Sequence, residues 1–178
     1  MRTAKNEWWE WSKILLIAIV CAAGIRYFIF SPVVVDGSSM DPALKDGDRL
    51  IVNKLNYLLE EPERFDMVVF HASESDDYIK RVIGLPGETV AFKEGKLYIN
   101  DQLTEEQFLD EEAVTADFTL EELTGEETVP EGHLFVMGDN RSKSRDSRHI
   151  GPVSVESVVG VMSIVFWPPE DFKVVSKE

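Results

Sequence analysis

Apolar positions along the chain fall into two patterns that predict different kinds of structure. From Ile14 to Phe30 they are continuous except for Gly24, Arg26 and Tyr27, which predicts one apolar helix over 14–30. Such a helix is about 25 Å long, close to the hydrocarbon thickness of a bilayer once its end side chains reach the headgroups. After residue 31 the apolar runs shorten and turn signals separate them, the mark of β structure. Strand-length runs lie at Val33–Val35, Arg49–Leu55, Met67–Phe70, Tyr78–Gly84, Thr89–Phe92, Leu97–Ile99, His133–Met137 and Val158–Trp167. Glu94 and Gly95 between two of them read as a hairpin turn. The expected fold class is mainly β, with an N-terminal transmembrane helix ahead of a β-rich domain.

The flanks of the apolar run give it a direction. Arg2, Lys5 and Lys13 precede it, and Trp8, Trp9 and Trp11 form a candidate interfacial belt. The positive-inside bias then makes 1–13 cytoplasmic, 14–30 a single membrane span and 31–178 an extracytoplasmic domain. A cleavable export signal is the competing reading, since Cys21, Ala22 and Ala23 offer small residues for processing. Against it, the apolar stretch continues through Tyr27, Phe28, Ile29 and Phe30, longer than such a signal requires. Cys21 is the only cysteine, so the exported part has no disulfide and depends on packing.

Charge narrows the partners. The net charge is −15, and residues 31–178 carry 14 Lys and Arg against 31 Asp and Glu, leaving −17 there. This argues against nucleic acid and suits a strongly hydrated outer face or a saline or alkaline exterior. Ten acidic residues and no basic one lie between Thr104 and Thr128, with Phe108, Leu109, Val114, Phe118, Leu120 and Leu123 among them. This 104–128 segment reads as an exposed acidic insertion with one or two helical turns, loosely packed on the core.

Two segments carry chemistry. Gly37-Ser38-Ser39-Met40-Asp41-Pro42 puts serines in a turn nine residues beyond Phe30, within about 30 Å of the bilayer even if fully extended. The second segment, Tyr78 to Glu88, puts Lys80 in an apolar strand on the face of Tyr78 and Val82, with Ile79, Arg81 and Ile83 opposite. An ammonium ion is poorly solvated there, so its pKa should fall. A neutral lysine can take the proton of a serine hydroxyl, and Ser39 with Lys80 is the expected pair. Ser38 competes as nucleophile on spacing alone. The Ser39 backbone N–H is the candidate oxyanion donor. Together these features point to peptide hydrolysis at a membrane surface.

These segments, with Arg64 to Phe70 and Gly138-Asp139-Asn140-Arg141-Ser142-Lys143-Ser144-Arg145-Asp146-Ser147-Arg148, occur in the order found in type I signal peptidases. The chain resembles the single-span Gram-positive form of that Ser/Lys-dyad family over most of its length. The resemblance implies a signal-peptidase-type catalytic domain and places the nucleophile immediately before Met40, selecting Ser39 over Ser38. It makes Ser144 the hydroxyl that orients the catalytic amine, and Asp146 with Arg148 a supporting ion pair. It further implies a membrane-anchored endopeptidase that removes signal peptides from exported preproteins after Ala-X-Ala-type small residues, at the cell membrane, with no cofactor. Gly37 and Ala43 depart from the family pattern, at a position that often carries an oxyanion-binding serine and at one usually Ser or Thr.

Three rivals remain at this point. A histidine base would have to be His71, His133 or His149, and each reads better as a turn or surface residue. A self-cleaving Ser/Lys protease fits poorly with a membrane span. A catalytically silent membrane-anchored binding protein would share the fold and cleave nothing. No Cys or His grouping has metal-ligand spacing, and the acidic run lacks a calcium loop, so no metal is expected.

Overall fold

The N-terminal apolar run forms a helix that packs on little else. The computed structural model describes residues 4–28, 30–54, 62–109 and 113–174, beginning with α1 (Ala4–Phe28) and β1 (Phe30–Val34). Side chains of α1 from Trp8 to Ala23 are exposed, including Trp8, Trp9, Trp11 and Ile14 to Ile17. The far end of the predicted 14–30 span is outside the residues whose side chains are described. Among the described residues no helix is long and apolar enough to cross a membrane.

Among the described residues the strands form two antiparallel sheets. The larger has the order β1, β2 (Arg49–Asn53), β11 (Val158–Trp167), β3 (Met67–His71), β4 (Asp77–Gly84), β9 (His133–Met137), β10 (Val153–Ser154), with β12 (Lys173–Val174) beside β11. β11 joins two halves of this sheet: Val158 to Val161 pair with β3, and Val161 to Trp167 with β2. Its length matches its double duty. The smaller sheet runs β7 (Gln102–Thr104), β6 (Lys96–Ile99), β5 (Val90–Lys93), β8 (Phe118–Thr119). Its hairpin turn is Glu94-Gly95, both with positive φ, as the turn between two strands of this twist requires.

Burial follows the strand alternation. Met67 and Val69 of β3 join Leu50, Val52, Met162 and Val165 in one core, while Val68 and Phe70 join Val82, Leu134 and Val136 in another. The center of the larger sheet is therefore covered on both faces, which explains why β3 reads as a continuous apolar run. A third core, with Val90, Phe92, Leu97 and Ile99 of the small sheet, packs on Ile83, Phe135 and Met137.

The acidic insertion corrects the expectation of loose packing. Phe118 pairs with Phe92 in the β8–β5 register, and Leu120, opening α2 (Leu120–Thr124), is fully buried with it. Thr119 caps α2 in a reciprocal box with Glu122. Val114 and Leu123 stay exposed, so only part of the segment is the surface excursion expected.

Candidate active site

The turn bearing Ser39 connects β1 to β2 and is fixed from beneath. Met40 and Leu44 are buried against Val35, Leu50 and Val52, and Leu44 N–H bonds to the Met40 carbonyl at 2.8 Å. Anchoring Met40 presents its neighbor upward: Ser39 is half-buried and Ser38 exposed. Gly37 has φ +92°, a conformation that strains any side-chain-bearing residue, and its N–H donates to Asp46 Oδ1 at 2.8 Å. Glycine at this departure from the family pattern thus has a backbone reason. Ala43, the second departure, packs partly buried against the same core.

Lys80 reaches this turn from β4, opposite Val68 of β3. Its Nζ donates to Ser39 Oγ at 2.8 Å and to the Ile79 carbonyl at 2.8 Å, with the Tyr78 ring centroid 5.2 Å away. The side chain is almost fully buried, and burial lowers its pKa from 10.5 to about 8 against the opposing pull of Asp146 and Asp139. An amine with that pKa is about one-tenth neutral at pH 7, roughly 300 times the neutral fraction of an ordinary lysine. In the neutral form the same contact reverses, and the hydroxyl donates to the amine.

The loop 138–148 closes the site from the far side. Gly138 is required for space: a Cβ there would lie 2.2 Å from Ser144 Oγ and 2.4 Å from the Ser39 carbonyl oxygen. Asn140 N–H donates to that carbonyl at 3.1 Å. Ser144 is buried, and among the described residues its hydroxyl has no hydrogen-bond partner, though it lies close enough to the Asp146 carboxylate to favor its charged form. Its expected bond to the catalytic amine is therefore not among those formed here. Asp146 caps α3 (Ser147–Ile150) and accepts from Gly138 N–H at 3.0 Å and from Arg148 Nε and Nη2 at 2.9 and 2.8 Å. Burial opposes its ionization, but these donors prevail and hold the carboxyl below its ordinary pKa.

The sequence places Arg81 only on the strand face opposite Lys80 and assigns Arg141 no role. Arg81 is buried and forked to Asp139 at 2.9 and 2.6 Å, and Arg141 is buried with Glu106 of the acidic insertion. Basic residues in or beside otherwise apolar segments of so acidic a chain were the available signal. The contacts of the three histidines are with groups other than Ser39 and Lys80: His71 pairs with Asp77, His133 with the Glu131 carbonyl, and the exposed His149 has Nδ1 4.0 Å from Asp146 Oδ1.

A groove leads to the Ser39–Lys80 contact. Val33 to Val35 line one wall and Asp77 to Ile79 the other, with Met40 also lining it and Lys143 and Arg145 at its edge. Strand backbone beside apolar side chains suits an extended peptide held by main-chain pairing.

Residues 8–167 match the family model described as signal peptidase, peptidase S26. The chain is 45% identical over 171 residues to signal peptidase I of Bacillus caldolyticus, covering 92% of each chain. It is 38% identical over 180 residues to signal peptidase IB of Staphylococcus aureus strain Mu50, covering 95% of this chain and 94% of that one. A crystal structure of a signal peptidase I from Enterococcus faecalis V583 superposes with TM-score 0.52 at 43% identity, over 57% of this chain and 97% of its own. With a β-sheet domain that brings a serine and a buried lysine together, the chain belongs to the type I signal peptidases, serine endopeptidases of the S26 family.

Proposed function

We propose that this endopeptidase removes N-terminal signal peptides from exported preproteins by a Ser39/Lys80 dyad. The observation that carries the reading is the 2.8 Å contact between Lys80 Nζ and Ser39 Oγ in a site where burial lowers the lysine pKa. Neutral Lys80 takes the Ser39 proton as Oγ attacks the scissile carbonyl, and the Ser39 backbone N–H stabilizes the oxyanion. Lys80 then protonates the leaving amine. The acyl ester on Ser39 is hydrolyzed when Lys80 takes a proton from the attacking water, the water oxygen bonds to the acyl carbon, and Lys80 returns that proton to Ser39 Oγ as the ester bond breaks and the new carboxyl end leaves.

Around the dyad, the buried Ser144 hydroxyl, unbonded here, is the group that would turn to the amine and orient it during the reaction, while Asp146 and Arg148 fix the loop that carries Ser144. Small side chains upstream of the cut, of the Ala-X-Ala type, fit shallow apolar walls such as those of Val33, Val35 and Ile79. The chain is anchored through 14–30 with its N-terminus cytoplasmic and its catalytic domain outside. Exposed apolar side chains along α1, and Val34, Trp167, Phe172 and Val174 on the β1–β2–β11–β12 side of the domain, support that placement. The deciding experiment incubates the detergent-solubilized protein with a purified precursor carrying an Ala-X-Ala site. Ser39→Ala should abolish cleavage and Ser38→Ala should retain most of it; the reverse result overturns the nucleophile assignment.

A further inference from the structure

Two buried guanidinium groups bracket the 138–141 turn, and both are completed by the acidic insertion. Arg141 donates from Nε to the Gly138 carbonyl at 3.1 Å, from Nη1 to Thr115 Oγ1 at 3.0 Å, and from both terminal nitrogens to the Glu106 carboxylate at 3.3 and 2.5 Å. The Arg141 and Glu106 side chains are 2% and 10% exposed, so this ion pair is nearly dry. On the other flank, Arg81 is forked to Asp139, and the Phe108 ring lies over its guanidinium at 3.9 Å. Phe108 in turn packs on Phe65, whose carbonyl accepts from Arg81 Nη1 at 3.0 Å. Between the two arginines, Asn140 N–H holds the Ser39 carbonyl.

We infer that Glu106 and Phe108 are positioning residues for Ser39, locking the 138–141 turn against the nucleophile so that its hydroxyl stays on Lys80. The inference rests on the reading of Ser39 as nucleophile. A buried guanidinium deprived of its carboxylate draws in water or seeks another acceptor, and either moves the turn it is bonded to. Phe108 keeps water from the Arg81–Asp139 fork and adds the attraction of its ring face for the cation. Neither residue is in the groove leading to Ser39, so their loss should affect turnover more than substrate binding. Misplacing a nucleophile by a fraction of an ångström is enough for a tenfold effect.

The test compares Glu106→Gln, Glu106→Asp and Phe108→Leu with Glu105→Gln, which alters an exposed neighbor. Glu106→Gln and Phe108→Leu should each lower kcat about tenfold and leave KM within about twofold. Amide exchange of Asn140, read by NMR on the same proteins, should accelerate about tenfold while β11 amides keep their protection. Glu106→Asp should recover a large part of kcat, and Glu105→Gln should match the parent. Unchanged Asn140 exchange in folded Glu106→Gln overturns the inference whatever the activity. So does a loss of kcat that disappears well below the melting temperature, or a failure of both Glu106→Gln and Phe108→Leu to fold, since each makes these residues scaffold alone. A parent protein that cleaves nothing refutes the proposed function instead, and Asn140 exchange then still decides the inference.

Discussion

Lys80→Met separates an amine kept neutral by burial from one kept charged by its neighbors. Burial lowers the Lys80 pKa from 10.5 to about 8, and the carboxylates of Asp146 and Asp139 only partly oppose it. At about 1.4 kcal/mol per unit, that depression costs the folded protein about 3 kcal/mol at neutral pH. The unfolded chain binds the extra proton, so the cost is full below the folded pKa and fades as pH rises toward the unfolded one. Methionine keeps the length of the side chain and removes the charge. It also removes the 2.8 Å bonds to Ser39 Oγ and the Ile79 carbonyl, each contributing about 1 kcal/mol or less. The variant should therefore be about 1–2 kcal/mol more stable than the parent at pH 7, a rise of about 4 °C in melting temperature. Near pH 10.5 the order should reverse by a similar amount, because the burial cost is gone and the lost hydrogen bonds remain. Thermal melts from about pH 6 to pH 10.5 and precursor cleavage on the same preparations measure both properties. The parent's kcat/KM should rise with pH through a midpoint near 8, and Lys80→Met should be inactive throughout. A stability offset that does not change with pH, or a variant strongly destabilized at pH 7, would refute burial as the origin of the base. Any turnover by Lys80→Met comparable to the parent's would refute the base itself.

Gly138→Ala should cost about 1–3 kcal/mol and reduce turnover by about 100-fold or more, since its Cβ would press on both Ser144 Oγ and the Ser39 carbonyl; urea melts and kcat check it. Asp146→Asn leaves Arg148 without its carboxylate and should cost about 3 kcal/mol at pH 7. The Asp146 carboxyl is held below its ordinary pKa, so its contribution is present above the unfolded value and lost as pH falls through the folded one; the two proteins should converge in stability in acid. The same change removes a charge that raises the Lys80 pKa, and the alkaline rise in kcat/KM should move to lower pH. A truncated protein beginning at residue 31 should cleave short peptides in detergent but lose efficiency on membrane-embedded precursors. Equal efficiency of truncated and full-length protein on both substrates would show that tethering contributes nothing.

Period and turn chemistry made most strands legible. The Glu94-Gly95 turn and the runs at Met67, Tyr78, His133 and Val158 appear where alternation and punctuation put them. β7, β8, β10 and β12 have two or three residues each, too few for a period to register, and exist because a neighboring edge was available. The juxtaposition of Ser39 with Lys80 was legible as well, through the solvation problem of a lysine in an apolar strand. What stayed hidden was tertiary pairing: Asp139 lies 58 residues from Arg81, and Glu106 lies 35 from Arg141. Ten carboxylates in one segment read as solvent-facing, and no local pattern marks Glu106 as the partner of a buried arginine. The unbonded Ser144 hydroxyl was likewise unreadable, because a motif names a residue without fixing its rotamer.

Ser39 and Lys80 stand 41 residues apart in the chain and meet only when the nucleophile turn is seated on the folded sheet. In the extended polypeptide they are two ordinary side chains, a weakly acidic alcohol and a fully charged amine, and neither can cut anything. Latency is thus a matter of chain entropy and needs no inhibitory segment to be removed. A protease of this design carries no active site for as long as its chain is unfolded. It acquires one only when the long-range pairing of the sheet seats the Ser39 turn over Lys80.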